Sequence, residues 1–290
     1  MVRVHAWQDW QEQPNAFIHD HSVIPELGGG WTSRVGARVL ERMMLGTRKR
    51  RPVLLCVIGA FAAGTGPVAA TRERAPVRLL LGRSYEGRAI VAIRAGDPKG
   101  MRVLVVGCIH GTECAGIPVA RVLERTHPHF DLWIVPNLNP GGYARGMRQN
   151  GRGVDLNANW SSQWHSGGRP WDTYYPGPRP FSERETRIAR NLILRIRPRV
   201  TIWFHQHMNL VWAWGPSSAA GRVYARAAGM RFYHRHWLDG TATNWQNHHL
   251  PGSVSFTVEL PAGNLSSLQV RRHVHAVLAV AAAQRGATHA

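Results

Sequence analysis

The stretch RVLVVGCIHGTECAGIPVARVLER, residues 102–125, decides the fold. Its first part, residues 102–109, is a near-continuous apolar run, which is typical of a strand that is buried on both faces of a sheet. A helical stretch follows over roughly residues 114–125 and stops before His127 and Pro128. A buried strand that leads directly into a helix predicts an α/β protein.

Other parts of the chain extend this strand–helix pattern in both directions. The β-rich runs at residues 77–81 and 88–94 predict a hairpin. Further buried strands are expected at residues 132–135, 200–204 and 253–260, and a closing helix at 270–284. We therefore expect an α/β three-layer sandwich with a mixed, largely parallel central sheet flanked by helices, without an internal repeat or a second domain.

Two segments between these elements carry their own signals. Residues 137–153 are rich in Asn, Pro and Gly, and they predict a loop. Ser182 and Glu185 form the S-x-x-E pattern of a capping box, which predicts a helix that starts there and ends before Pro198.

The composition is that of a globular protein with an unusual charge. Hydrophobic residues make up 44% of the 290 residues, but the formal net charge is +19, and nearly all of it comes from arginine. A GC-rich coding sequence also produces such an arginine bias. The functional interpretation is attraction to a polyanion, for which an anionic cell-wall polymer is the expected partner. Nucleic acid is not expected, because no RNP-like, helix-turn-helix or zinc-finger pattern is present.

A targeting signal is expected upstream of the globular part. Four consecutive basic residues, 48–51, precede an apolar run, and small residues end at Ala70. The chain then divides into an upstream extension, a secretory signal peptide and a mature domain, at residues 1–42, 43–70 and 71–290. Export to the cell wall or periplasm, with no stable membrane span after processing, follows from this division. Two alternatives stay open: a buried core element, or a cytoplasmic tail ahead of an uncleaved anchor.

Two of the predicted strands end in residues that bind metal ions. His110 and Glu113 come directly after the strand at 102–109, and His205 follows the strand at 200–204. Ligands bind in the crevice beyond the carboxyl ends of such strands. Two histidines and a glutamate hold a catalytic zinc ion and leave one coordination position for water. The H-x-x-E pattern alone is weak, because a hydrogen-bonded His–Glu pair at a strand–helix junction has the same sequence.

Several short motifs elsewhere in the chain make the signal more specific. They are NLNPGG at 137–142, RQN at 148–150, GVDLN at 153–157, FHQ at 204–206 and SFTVEL at 255–260. In this order and spacing they resemble the M14 zinc carboxypeptidase family, and within it the bacterial murein peptide amidase branch. The resemblance runs from about Val77 to the last helix, and it implies a metallopeptidase with one zinc ion per chain.

The resemblance also implies catalytic roles. His110, Glu113 and His205 correspond to the zinc ligands, Glu259 to the general base, and Arg148 to the arginine that stabilises the developing oxyanion. General chemistry agrees with both catalytic roles, because a carboxylate beside the metal water takes its proton and a fixed guanidinium stabilises negative charge. The ordinary interpretation of the arginine is as one more solvated cation on an arginine-rich surface.

Further residues concern the positioning of ligands and substrate. By resemblance, Asp155 orients a ligand histidine and Asn157 binds the substrate's carboxylate; both are otherwise ordinary turn residues. The family usually has an arginine that helps to bind a terminal carboxylate at the position where this chain has Ala158. This difference counts against carboxypeptidase specificity. The tyrosine that closes over substrate is expected between Trp245 and Leu250, where the chain has no tyrosine. Asn247 and His248 are the predicted substitutes.

Three residues beside the metal ligands have open assignments. Cys108 and Cys114 flank His110 and Glu113, and they are either a disulfide or two free thiols. His207 lies two residues after a ligand and is expected to line the pocket rather than bind the metal, because three ligands already complete the set.

These patterns predict an exported zinc-dependent hydrolase that cleaves an amide bond in peptides by means of a zinc-activated water, with Glu259 as the general base. Peptidoglycan-derived (murein) peptides are the expected substrates. The alternatives are a zinc carboxypeptidase acting on ordinary peptide C-termini, a deacylase of N-acyl amino acids, and a pseudoenzyme that binds wall peptides without cleaving them. Ala158 counts against the first of these, and export counts against the second.

Overall fold

A computed structural model describes residues 75–286 of the protein, and a seven-stranded sheet lies at the centre of this region. The strands are β1 (Val77–Arg83), β2 (Ala89–Gly96), β3 (Arg102–Val106), β4 (Asp131–Val135), β5 (Val200–Ala213), β6 (Arg231–His234) and β7 (Val254–Pro261). The helices are α1 (Gly116–Leu123), α2 (Pro140–Arg145), α3 (Arg184–Ile196), α4 (Ser218–Ala228), α5 (Ala242–His249) and α6 (Ser267–Gly286), with short 3₁₀ turns at Leu156–Ala158 and Gly215–Ser217.

The sheet is mixed and largely parallel, as predicted. Its order is β1-β2-β4-β3-β5-β6, and β7 also pairs with β5. The β1–β2 hairpin and the β2–β4 pair are antiparallel, whereas β3 is parallel to both β4 and β5. The parallel strands β3, β5 and β7 therefore end at the same edge of the sheet, and this edge carries the candidate site.

Strand β5 is much longer than the sequence predicted, because it turns back on itself. Residues Val200–Gln206 pair with β7 in ascending register, and Leu210–Trp212 pair with β7 again in descending register. The irregular residues between them include Asn209, whose φ of 51° lies in the left-handed region. The turn of the chain follows directly after His205, so it brings residues 207–209 to the edge of the sheet that carries the site.

Two apolar layers cover the two faces of the sheet, which confirms the predicted sandwich. Successive residues of β3 alternate between them: Val103 and Val105 pack in the layer that holds α1, α4 and α6, whereas Leu104 and Val106 pack in the layer that holds α3 and α5. Each layer excludes water from one side of the sheet, so the strands that carry the site are held rigidly from both sides.

Several local predictions differ from the structure. The predicted capping box does not form: α3 begins at Arg184, Ser182 donates to the side chain of Glu183 (2.8 Å), and Glu185 accepts the backbone N–H of Tyr85 (3.0 Å). The predicted loop at 137–153 contains α2, whose N-cap Asn139 accepts the N–H of Gly142. Elements α4, β6 and α5 were missed.

The missed helix α5 illustrates why pattern reading failed. Its buried side chains include the polar residues Thr243, Asn244 and Gln246, so it lacks the apolar period of an amphipathic helix. The predicted segments 1–42 and 43–70 lie outside the described residues. Within residues 75–286, no helix has both the length and the apolar character needed to cross a membrane.

Candidate functional site

The carboxyl edge of the sheet brings together residues that are far apart in sequence. His110 and Glu113 lie in the segment between β3 and α1, and His205 lies in β5 directly opposite Glu259 of β7. The loop that carries the first two is packed tightly, because a Cβ atom at Gly111 would lie only 2.3 Å from the carbonyl oxygen of Met147. Only glycine fits at that position, so backbone contacts fix the direction of the loop.

Three side chains converge on one point at this edge. His110 Nδ1 lies 2.8 Å from Glu113 Oε2, His205 Nδ1 lies 3.1 Å from the same oxygen, and the two Nδ1 atoms are 3.2 Å apart. All three residues are at least nine-tenths buried. Within residues 75–286, they form a group with the composition and spacing needed to hold a metal ion. Two imidazoles and one carboxylate are a donor set that suits a catalytic zinc ion.

Asp155 determines which nitrogen of His110 faces this point. Its Oδ1 lies 2.9 Å from His110 Nε2 and also accepts the backbone N–H of Asn157 at 2.8 Å. Burial alone would raise the pKa of Asp155, but the Arg148 guanidinium and His110 hold that pKa well below its ordinary value. An ionised Asp155 accepts the Nε2–H of His110 and leaves Nδ1 directed at Glu113.

The charges around His110 require a cation at Nδ1. Burial and Arg148 lower the pKa of His110, whereas Glu113 and Asp155 raise it, to a net value of about 9. A neutral imidazole would place a lone pair 2.8 Å from a carboxylate oxygen, which is repulsive unless a proton or a metal ion lies between them. The residues present therefore fit a bound zinc ion.

Arg148 joins the two carboxylates of the group. Its guanidinium contacts Glu113 and lies 3.0 Å from Asp155, and only 12% of its side chain is exposed. Burial would lower the pKa of this guanidinium, but Asp155 and Glu113 raise it above its ordinary value. Arg148 is therefore a fixed, permanent positive charge rather than a solvated surface cation. We call His110, Glu113, Arg148, Asp155 and His205 the metal-site network.

Glu259 lies beside this network without being used by it. Burial, and then Glu113, raise the pKa of Glu259 to about 8, whereas His110 and Arg148 act in the opposite direction. Its Oε2 atom is buried and has no hydrogen-bond partner within the described part of the chain. The same holds for Nε2 of His205, whose pKa is lowered by burial. A carboxyl group with a pKa near neutrality exchanges a proton readily under physiological conditions.

The remaining predicted residues lie in two different settings. Asn157 is buried next to Asp155, and its Oδ1 accepts the N–H of Ala242 at the start of α5. Asn247 donates to the carbonyl oxygens of Thr243 and Ser255, both at 2.7 Å, and accepts the N–H of Ser255. His248 hydrogen-bonds within α5, at 2.8 Å from the carbonyl oxygen of Asn244. These contacts serve the backbone, and substrate binding by Asn247 and His248 stays a prediction.

The cysteines and His207 also have defined positions. Cys108 and Cys114 are joined in a disulfide that encloses His110 and Glu113, so the structure favours the first of the two alternatives. His207 is exposed at the turn of β5.

Two residues to which the sequence assigned no role contact or brace the site. The ring of Tyr174 lies 5.3 Å from the guanidinium carbon of Arg148. Gln206 accepts the N–H of Ala115 at 2.9 Å and donates to Pro261 and Gly263, so it ties α1 to the end of β7. Tyr174 comes from a loop with no regular period, and no spacing rule could have found it.

Comparisons with known proteins agree with this geometry. The sequence profile described as zinc carboxypeptidase, peptidase M14, matches residues 69–226. The chain is 26% identical over 172 residues to carboxypeptidase B from Astacus astacus, covering 48% of this chain and 57% of that protein. It is 29% identical over 148 residues to inactive metallocarboxypeptidase ECM14 from Ajellomyces dermatitidis, covering 37% of this chain and 24% of that protein.

Solved structures share the fold. Murein-tripeptide amidase MpaA from Escherichia coli O157 superimposes with a TM-score of 0.58 at 23% identity, covering 72% of this chain and 91% of that one. The matched region spans just over half of the length of the Astacus protein and about a quarter of the Ajellomyces protein.

Proposed function

Because the chain belongs to the zinc carboxypeptidase family, peptidase M14, we propose that it is a zinc-dependent hydrolase that cleaves an amide bond in peptides. The observation that carries this proposal is the convergence of His110, Glu113 and His205 beside a buried Glu259, whose Oε2 atom has no hydrogen-bond partner among the described residues. These three residues are the proposed zinc ligands. When bound, zinc supplies a Lewis acid that polarises a carbonyl group and lowers the pKa of a water molecule.

The residues around the ligands divide the remaining chemistry. Glu259 is the proposed general base: its carboxylate takes a proton from the attacking water and delivers it to the nitrogen of the leaving amine. Burial and Glu113 raise the pKa of Glu259, which makes its carboxylate a stronger base than that of an ordinary glutamate. In this assignment the C–N bond breaks as the new C–O bond is completed, and no other acid is required.

Arg148 and Asp155 have supporting roles in the proposal. The fixed guanidinium of Arg148 donates to the carbonyl oxygen of the substrate as negative charge develops there. Asp155 keeps His110 in one tautomer and keeps Arg148 in place. Asn157, next to Asp155, is the proposed contact for a substrate carboxylate.

The proposed substrates are murein peptides. Two features support this choice over ordinary C-termini: the fold likeness to a murein-tripeptide amidase, 91% of which is covered, and Ala158 in place of the arginine that the family resemblance implies. We further propose that residues 43–70 direct export of a mature domain at 71–290, and that the positive charge favours contact with an anionic wall polymer. A non-catalytic role is the second candidate, because one of the matched relatives is named inactive.

Incubation with defined peptides tests the proposal. The zinc-loaded chain is mixed with a panel of muropeptides and ordinary peptides, and the products are identified by mass spectrometry. Selective cleavage of muropeptides that is abolished by Glu259→Gln supports the proposed function. Release of ordinary C-terminal residues favours the carboxypeptidase alternative. Binding of muropeptides without any cleavage makes the chain a pseudoenzyme and overturns the proposal.

A further inference from the structure

A second cavity lies at the opposite end of the same strands. It has a volume of about 470 Å³ and is formed by the segments that lead into β3, β5 and β7. Its lining residues are Lys99–Arg102, Arg197–Arg199 and Leu250–Ser253. Because these segments enter strands whose other ends carry the metal-site network, the two sites are separated by the length of the sheet.

The cavity concentrates positive charge without an acidic partner in its wall. Lys99, Arg102, Arg197 and Arg199 contribute to the lining, and no aspartate or glutamate of the described residues does. Among residues 75–286, the one ion pair of these four joins Arg102 to Asp131 at 3.9 Å. Asp131 is already paired with Arg94 at 2.6 Å, so little of its charge is left for the cavity.

Arg199 is held in place in the wall of this cavity. One of its terminal nitrogens donates to the carbonyl oxygen of Gly252 at 2.5 Å, which fixes the guanidinium against the loop at residues 250–253. Its Nε atom is buried and has no hydrogen-bond acceptor in the described part of the chain. Because the Nε atom is buried even without a ligand, the terminal nitrogens of Arg199 are the groups available to a ligand in the cavity.

We propose that this cavity, named here the cationic cavity, binds a phosphate-bearing ligand. Guanidinium groups pair with the oxygens of a phosphate group through parallel charge-assisted hydrogen bonds, and three guanidinium groups with one ammonium match more charge than a single carboxylate carries. The volume lies in the range of ligand pockets rather than of single ions. Met101, Pro198, Leu250 and Pro251 give the cavity an apolar part that suits the organic portion of such a ligand. The proposal does not depend on the peptidase assignment, because it involves none of the same residues.

Binding of phosphate to paired variants tests the cationic cavity. The full chain is titrated with inorganic phosphate, and separately with a poly(glycerol phosphate) oligomer, by isothermal calorimetry. The test variant is Lys99→Gln/Arg197→Gln, because both side chains are exposed and their replacement leaves the core intact. The matched control is Arg271→Gln/Arg272→Gln, which removes the same charge from the exposed face of α6.

The expected result is at least about tenfold weaker binding in the test variant, because two of the four cations that face the phosphate are removed. The control should stay within about twofold of the wild type. Arg199→Gln should show the same loss. Tighter binding of the oligomer identifies a phosphodiester chain as the ligand, and equal binding per phosphate identifies a free phosphate group. Equal affinity in the test and control variants overturns the proposal. So does binding that disappears in Glu113→Ala, because phosphate would then be bound at the metal-site network.

Discussion

The sequence predicts both the metal-site network and the α5 pair, Asn247 and His248, as parts of the site. The polar side chains of the two groups contact different partners. In the network, charged side chains contact one another: Glu113 faces two imidazoles and a guanidinium within a buried space. In the α5 pair, the polar atoms bind backbone groups of α5 and β7. The first arrangement directs charged groups at a point where a ligand can bind. In the second, the polar groups hydrogen-bond to the backbone and hold two elements together. A polar residue that the family resemblance assigns to a site can therefore hydrogen-bond to the backbone instead.

The largest expected effect is the loss of zinc from Glu113→Ala. Glu113 supplies the oxygen on which both Nδ1 atoms converge, so its removal takes away one of three ligands and breaks the contact with Arg148. Elemental analysis should find the variant without bound zinc, and peptide cleavage should be absent. Glu124→Ala is the matched control, because within residues 75–286 its carboxylate pairs with the exposed Arg78 alone. Full zinc content in Glu113→Ala would remove the proposed site.

Glu259→Gln should separate metal binding from catalysis. Glutamine is nearly the same size but cannot accept and redeliver a proton, so zinc content and the melting temperature should be retained while kcat falls by about 10²–10⁴-fold. The measurement is kcat on a peptide that the wild type cleaves, alongside elemental analysis. Near-normal turnover would exclude Glu259 as the base, and exposed His207 would become the next residue to test.

Asp155→Asn should have a smaller effect, which is a loss of zinc affinity. The amide can still accept the N–H of Asn157, but it no longer provides a negative charge to hold the Nε2–H of His110 and the Arg148 guanidinium. Zinc affinity, measured by competition with a chelator, should fall by about 10–100-fold. An unchanged affinity would show that the tautomer of His110 is set by another group.

The sequence predicted the parts of this molecule that local chemistry dictates. Continuous apolar runs identified β3 and β4, and motif residues led to His110, Glu113 and His205, which the fold brings together. It could not predict contacts that depend on tertiary placement. Three such contacts join segments that are far apart in sequence. They are the second pairing of β5 with β7 after its turn, the ring of Tyr174 over Arg148, and the hydrogen bond from the Tyr85 N–H to Glu185. The sequence also could not predict the cationic cavity, because its four cations come from two segments about 100 residues apart.

Asn247→Ala tests the α5 pair, for which the expected effect on catalysis is the smallest. The Asn247 amide makes two hydrogen bonds with Ser255 of β7 and one with Thr243, and alanine leaves these backbone groups unsatisfied. The variant should therefore lose about 1–3 kcal/mol of unfolding free energy. Its kcat and KM should stay within about twofold of the wild type, because none of these bonds reaches the metal-site network. His248→Ala is the control within the same helix, since it breaks a single bond to Asn244 and should cost less stability. Chemical denaturation measures the first quantity, and steady-state kinetics on a muropeptide measures the second. A large rise in KM with unchanged stability would contradict this expectation. It would support the prediction that Asn247 contacts the substrate and show that backbone bonding and substrate contact coexist in one side chain.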